Sequence, residues 1–176
     1  EVTNDTFAPL RLYNQWEWGG YLRWREPRVK VFWDGRYLFH PLMIESVDAT
    51  RESSRWQRFT EKYELDAALV LSLNSKIPTE RRYPDGRAQR FLRPWYLFYF
   101  PFDRWALVYW DQQALLFVRR DSVSPEWLAA NEFRVLRPKD EAAFEDALAR
   151  GEIPPERLRL ERERQIAELE KPLLTP

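Results

Sequence analysis

Cysteine is absent from this 176-residue sequence, and histidine occurs once, as His40. Without cysteine the chain can form no disulfide bond, no thiolate nucleophile and no zinc–thiolate site. A single histidine among scattered carboxylates gives no H-x-x-x-H or D-x-D-x-D spacing, so we predict no metal site and no cofactor. No apolar run approaches the roughly 20 residues that a membrane-spanning helix requires.

Net charge is also absent, because 28 Lys and Arg residues balance 28 Asp and Glu residues. Proteins that bind nucleic acid concentrate positive charge on one surface, so we expect no nucleic-acid partner. The chain begins at Glu1 rather than Met and shows no signal peptide, which leads us to expect a mature fragment or a piece of a longer protein.

Aromatic residues are abundant, with nine Trp, eight Tyr and eleven Phe making 16% of the chain. Seven of them fall in the segment 91–102, FLRPWYLFYFPF, where Pro94 and Pro101 argue against a long helix. Core packing is one interpretation of this segment. The other is an exposed surface for a membrane interface or for stacking on sugars. In that second case the predicted binding residues are Trp95, Tyr96 and Phe98.

The stretch 11–36 predicts a βαβ unit around which the rest of the chain is organised. A short strand over 10–14 leads into an aromatic helical turn, and a second strand over 29–33 ends at the Asp34-Gly35 turn. The Gly19-Gly20 pair inside the helical turn costs on the order of 1–2 kcal/mol relative to Ala. We therefore predict that this helix approaches the neighbouring strand too closely for a Cβ atom.

Two later segments complete the predicted sheet. The apolar run 67–71 follows a helix, which is typical of a buried parallel strand. Residues 105–119 read as an antiparallel hairpin at one edge. The predicted fold class is α/β, with a mostly parallel sheet and an antiparallel edge hairpin.

The predicted domain organisation has three parts: a linker over 1–9, an α/β domain over 10–137 and a C-terminal helical extension over 138–176. Helix starts are predicted at Ser124-Pro125, at Asp140 as a cap and at Pro154-Pro155. The last helix is expected to be solvated, with one thin apolar stripe that would need another helix to pack against. The residues of that stripe are Leu158, Ile166 and Leu169.

Candidate site residues cluster near the predicted βαβ unit. Ligands of open α/β sheets bind at the carboxyl ends of strands, where Asp34 and Arg36 are predicted to lie. The alternative is that Asp34 caps a turn and Arg36 pairs with a carboxylate. His40 could pair with Asp34, but no G-x-S-x-G elbow supplies a nucleophile. Trp16 and Trp18 add aromatic surface for binding, and we predict no catalytic residue.

Four segments, in order, carry a family resemblance: NQWEWGGYLRW, KVFWDGR, WQRFTEKYELDAALVL and WALVYWDQQALLFVRR. Together, over roughly residues 10–137, they resemble the soluble C-terminal region of bacterial multi-pass membrane proteins related to the dolichyl-phosphate-mannose-type (GT-C) glycosyltransferases. The resemblance implies a three-layer Rossmann-like sandwich. It also implies an extracytoplasmic domain, periplasmic or on the outer face of the cytoplasmic membrane, tethered in the full-length protein. The family's catalytic acids lie in its membrane part, so none is carried over. The aromatic segment within 74–102 departs from the family pattern.

The resemblance leads us to expect a non-catalytic domain that assists substrate or membrane positioning. Its expected partners are the membrane-embedded remainder of the polypeptide or a lipid surface, together with a glycan or a polyprenyl-phosphate-linked sugar. A carbohydrate-binding or protein-interaction module is the alternative, and a small α/β hydrolase using Asp34, Arg36 and His40 is less favoured. The first hypothesis requires an exposed aromatic surface, and the hydrolase requires a closed pocket at the strand end.

Overall fold

The computed structural model of the chain describes residues 4–35 and 40–170, which divide into two compact units. Unit 1 comprises Glu1–Leu73 and Tyr96–Glu132, and unit 2 comprises Asn74–Trp95 and Phe133–Pro176. Each unit is therefore assembled from two separate stretches of chain. No helix in the described ranges is both long enough and apolar enough to cross a membrane.

The helices and strands follow one another in a mixed order. They are α1 (Asn4–Phe7), β1 (Arg11–Asn14), a 3-10 turn (Trp16–Trp18), α2 (Gly19–Arg25), β2 (Lys30–Val31), α3 (His40–Ala49), α4 (Ser53–Lys62), β3 (Ala67–Leu71), β4 (Lys76–Arg82), β5 (Ala88–Pro94), α5 (Tyr96–Tyr99), β6 (Trp105–Trp110), β7 (Ala114–Arg119), a second 3-10 turn (Arg120–Ser122), α6 (Pro125–Asn131), α7 (Glu141–Ala149) and α8 (Pro155–Leu169).

Unit 1 contains a five-stranded sheet in the order β2-β1-β3-β7-β6. Strand β1 is parallel to both β2 and β3, whereas β7 is antiparallel to β3 and to β6. Four of the five strands therefore run in one direction, and the β6–β7 hairpin forms one edge. The α/β class, the buried strand over 67–71 and the edge hairpin over 105–119 are confirmed.

One face of this sheet carries an aromatic core beneath α3, α4 and α5. The Tyr13 ring packs edge-on against Trp56 at a centroid distance of 4.8 Å, and Phe100 stacks on Phe117 at 4.2 Å with the rings nearly parallel. Phe100 and Tyr96 are fully buried there. Side chains alternate along a strand, so every second residue contributes to this face.

The opposite face is smaller and mostly aliphatic. Its buried strand residues are Leu12, Ala67, Ala106, Val108 and Val118. Phe7 of α1 and Leu128 of α6 pack onto them. Helix α6 begins as predicted, because the Ser124 hydroxyl accepts a hydrogen bond from the Trp127 amide at 3.2 Å.

Unit 2 contains the antiparallel ribbon β4–β5 and the helices α7 and α8. Strand β4 was not predicted, because Ile77 is its only strongly apolar residue and the sequence therefore shows no apolar alternation. The turn between the two strands contains Gly86 at φ +82°, as the turn motif Tyr83-Pro84-Asp85-Gly86-Arg87 predicts. Gly151, at φ +68°, follows the end of α7 in the same way.

Helix α7 begins where predicted, with Asp140 as its N-cap residue, but one detail of that prediction is wrong. The Asp140 side chain does not cap α7, because Arg93 takes both of its carboxylate oxygens, at 2.7 and 2.8 Å. Ile166 and Leu169, two residues of the apolar stripe predicted on α8, are exposed. The residues of α8 that are buried are polar ones, Glu161 and Gln165.

Candidate functional site

The start of α2 is pressed against the backbone that follows β2. A Cβ atom on Gly19 would lie 2.7 Å from the Asp34 Cα and 2.8 Å from the Trp33 carbonyl carbon, and closer still to the Trp33 oxygen. At Gly20 the nearest such atom is the Asp34 carbonyl oxygen, at 3.9 Å. The predicted close approach is therefore confirmed, and it depends on Gly19 alone.

A buried asparagine holds the segment after β2 in place. Asn14 ends β1 and is fully buried, and its amide nitrogen donates to the Trp33 carbonyl at 3.0 Å. Its amide oxygen accepts from the Phe32 N–H at 3.0 Å, and its backbone carbonyl accepts from the Trp33 indole N–H. Strand β2 ends at Val31, and these hydrogen bonds join the next two residues, Phe32 and Trp33, to Asn14. Asn14 was not among the predicted site residues, because an Asn at a strand end is typical of a turn.

The polar residues predicted at this strand end, Asp34, Arg36 and His40, have different surroundings. Asp34 pairs with Arg23 of α2 at 3.1 Å, and only 9% of its side chain is exposed. His40 is the first residue of α3 and is exposed. The structure describes an ion pair of Asp34 with Arg23, whereas the sequence suggested a pair with His40. Arg36 lies outside the described residues. Across the described ranges, no group of three or more His, Asp or Glu residues could hold a metal ion.

The predicted aromatic site residues are all buried or half-buried. Tyr96 is fully buried and packs on Phe117, while Phe98 is half-buried in the same unit. Trp95 is half-buried and belongs to unit 2. Trp16 and Trp18 are also half-buried, and Trp16 packs edge-on against Trp33 at 5.9 Å.

The exposed aromatic surface is instead on α2, at Tyr21 and Trp24, which are 58% and 75% exposed. Every other aromatic side chain in the described ranges is buried or half-buried. The two rings lie 6.0 Å apart at an angle of 48°. Residues at i and i+3 share one helix face, so this spacing was the signal available in the sequence. The site residues predicted from the sequence did not include either ring.

Exposed basic residues follow the two exposed rings along the chain. Arg25 lies one turn after Tyr21 on the same helix face, and Arg28 and Lys30 follow it; all three are exposed. Between positions 21 and 30 the chain has four basic residues and one acidic residue. Leu22, in contrast, packs onto the aliphatic core. We name the exposed set Tyr21, Trp24, Arg25, Arg28 and Lys30 the α2 surface.

Comparison with known proteins gives no relative for this chain: no family model, no curated protein and no solved structure matches it.

Proposed function

We propose that this chain is a non-catalytic domain that uses the α2 surface to hold its parent protein against a membrane. The observation that carries the proposal is the exposure of Tyr21 and Trp24, when every other aromatic side chain among the described residues is buried or half-buried. Trp and Tyr prefer the headgroup level of a bilayer, where the ring is partly buried and its polar atom stays hydrated.

The charges next to the two rings select the kind of membrane. A Lys or Arg near an anionic bilayer contributes about 1 kcal/mol of binding. Arg25, Arg28 and Lys30 therefore favour anionic lipid over neutral lipid. A seven-residue helix with two aromatic side chains buries little area, so the contact is weak and reversible. Such a contact orients a domain that another part of the protein tethers.

The setting of this proposal is the one that the family resemblance implies. The domain would lie extracytoplasmically, at the outer face of a bacterial cytoplasmic membrane, beside a glycosyltransferase-like membrane part. There it would assist the positioning of a glycan or a polyprenyl-phosphate-linked sugar. A three-layer Rossmann-like sandwich belongs to the same proposal, and the helices that pack on both faces of the unit 1 sheet support it.

Glycan binding is the second candidate function, because an exposed indole can stack on the apolar face of a sugar ring. The 75% exposure of Trp24 favours this alternative as well. It differs from the first in requiring no lipid. The hydrolase hypothesis is tested with the double variant Asp34→Asn/His40→Ala. If the hypothesis holds, this variant loses hydrolase activity and keeps the membrane binding of the wild type.

Liposome co-sedimentation tests the proposal. The wild type should sediment with vesicles of phosphatidylcholine and phosphatidylglycerol, and Tyr21→Ala/Trp24→Ala should lose that binding with its circular dichroism unchanged. The matched control is Leu160→Ala/Ile166→Ala, which removes two exposed apolar side chains from α8 and should bind like the wild type.

The charged part of the surface has a separate readout. Arg25→Gln/Arg28→Gln should weaken binding to the anionic vesicles and leave the weaker binding to pure phosphatidylcholine unchanged. Equal sedimentation of wild type and Tyr21→Ala/Trp24→Ala would refute the membrane proposal. Binding of a soluble oligosaccharide that depends on Trp24, without any vesicle binding, would establish the glycan alternative.

A further inference from the structure

Unit 2 contains a groove of about 260 Å³ with an unusual concentration of arginine. Four of its lining residues are arginines: Arg81, Arg93, Arg134 and Arg137. Two are acidic, Asp140 and Glu152. The lining therefore carries an excess of two positive charges, in a chain whose net charge is zero. Local charge of one sign in a concave site concentrates counter-ions of the other sign.

The two acids of the groove fix two of its arginines. The Asp140 carboxylate is 3% exposed and receives two parallel hydrogen bonds from Arg93. Glu152 accepts two hydrogen bonds from Arg81, both at 3.2 Å. A guanidinium held in this way keeps a fixed orientation, because the planar fork matches a carboxylate at two points.

The other two arginines lie on a segment that a buried carboxylate holds rigid. Glu161 of α8 is 1% exposed and accepts hydrogen bonds from three consecutive backbone amides, those of Arg134, Val135 and Leu136, at 2.8 to 2.9 Å. Arg157 donates to the same carboxylate at 2.7 Å. The Arg137 Nε then donates to the Arg134 carbonyl at 3.2 Å. The backbone that carries both arginines is thus fixed before any ligand arrives.

A helix terminus adds to the field at the groove. Helix α7 has nine residues, and its N-cap residue, Asp140, makes no side-chain capping bond because Arg93 holds its carboxylate. The helix N-terminus has a partial positive charge from its unbonded amide groups. Ala143 and Phe144, from the first turns of the same helix, supply an apolar part of the lining.

We propose that this groove binds a phosphate group, presented either by a small soluble phosphate ester or by a lipid headgroup. Arginine forks match the geometry of phosphate oxygens, and the apolar lining suits the carbon part of an ester. The groove belongs to unit 2 and the α2 surface to unit 1, and this proposal does not depend on the function proposed for the α2 surface. Glu161 and Asp140 act as positioning residues.

Isothermal titration calorimetry with inorganic pyrophosphate tests the soluble form. Arg134→Gln/Arg137→Gln should weaken binding by about ten-fold or more, which is the range for losing charge-assisted hydrogen bonds. The matched control is Arg82→Gln/Arg90→Gln, which removes the same charge from the exposed ribbon outside the groove and should retain the wild-type affinity. Tyr21→Ala/Trp24→Ala should retain it too.

The lipid form is tested with vesicles that contain phosphatidic acid. If only vesicle binding, and not pyrophosphate binding, depends on Arg134 and Arg137, the phosphate is a lipid headgroup. If neither depends on them more than on Arg82 and Arg90, the proposal is overturned.

A third variant distinguishes the positioning role of Glu161 from the effect of its negative charge. Glu161→Gln removes a negative charge, so electrostatics alone would strengthen anion binding. Loss of the fixed backbone should weaken it instead, with the fold intact by circular dichroism. Stronger binding by this variant would overturn the positioning role of Glu161.

Discussion

Gly19 and Gly20 are adjacent in the sequence, and we predict that their alanine substitutions have opposite effects on stability. At Gly19 the backbone has ordinary helical angles, φ −60° and ψ −41°, so alanine meets no backbone strain there. The difference between the two sites is the space for the new methyl group. It is occupied by the Trp33–Asp34 backbone at Gly19 and nearly open at Gly20.

The loss of stability in Gly19→Ala can be estimated from how far the Trp33–Asp34 backbone must move. Ordinary van der Waals contact begins at 3.4 Å, so the Asp34 Cα, at 2.7 Å from the new methyl carbon, would have to withdraw by about 0.7 Å, and the still closer Trp33 oxygen by more. Overpacking of this kind costs about 1–3 kcal/mol. The Trp33 carbonyl would move with it and weaken its bond from the buried Asn14 amide, which costs about 1–3 kcal/mol. After the helix-propensity gain of about 1 kcal/mol, Gly19→Ala should lose about 3 kcal/mol.

Urea unfolding followed by far-ultraviolet circular dichroism measures this loss. Gly19→Ala should lower the midpoint by about 1.5 M, for a slope of about 2 kcal/mol per M. Gly20→Ala, the matched control, should raise it slightly, because alanine gains up to about 1 kcal/mol in a helix and meets no clash. The predicted clash at Gly19 is refuted if both variants unfold at the wild-type midpoint, or if Gly20→Ala is less stable than Gly19→Ala.

Two further predictions concern carboxylates of unit 2. Glu161→Gln should lower the free energy of unfolding by about 2–3 kcal/mol, because an amide presents one acceptor oxygen to three backbone donors; an unchanged urea midpoint would contradict this. Hydrogen bonds from Arg150, and then from Arg81, lower the pKa of Glu152 from 4.5 to about 2. The stability that Glu152 adds is therefore complete above about pH 4.5 and is lost as the pH falls toward 2, so the melting temperatures of wild type and Glu152→Gln should converge over that interval.

Local patterns in the sequence predicted much of unit 1. The strand Ala67–Leu71, the hairpin of β6 and β7 and the capped start of α6 were all found, because each depends on residues close together in the chain. Strand β4 and the fixed arginines of unit 2 were not found. Arg93 and Asp140 are 47 positions apart, and no periodicity links them.

The candidate site shows the same limit. The sequence showed that aromatic residues were too many to be incidental, but it did not show which of them were exposed. The segment 91–102 is more aromatic than α2, yet Phe91, Tyr96 and Phe100 are core residues, while the shorter α2 exposes Tyr21 and Trp24. Exposure depends on which surfaces other elements cover, and that information is not local.

By itself, then, the sequence determined the α/β class, the strands with continuous apolar runs, the turns at Gly86 and Gly151 and the close approach at Gly19. Each follows from a steric or burial rule that acts over a few residues. Only the tertiary structure decided that Asp140 binds Arg93, that Glu161 is buried and that Trp24 faces outward. A charge can be buried only when distant partners compensate it, and a ring stays exposed only where no other element packs over it.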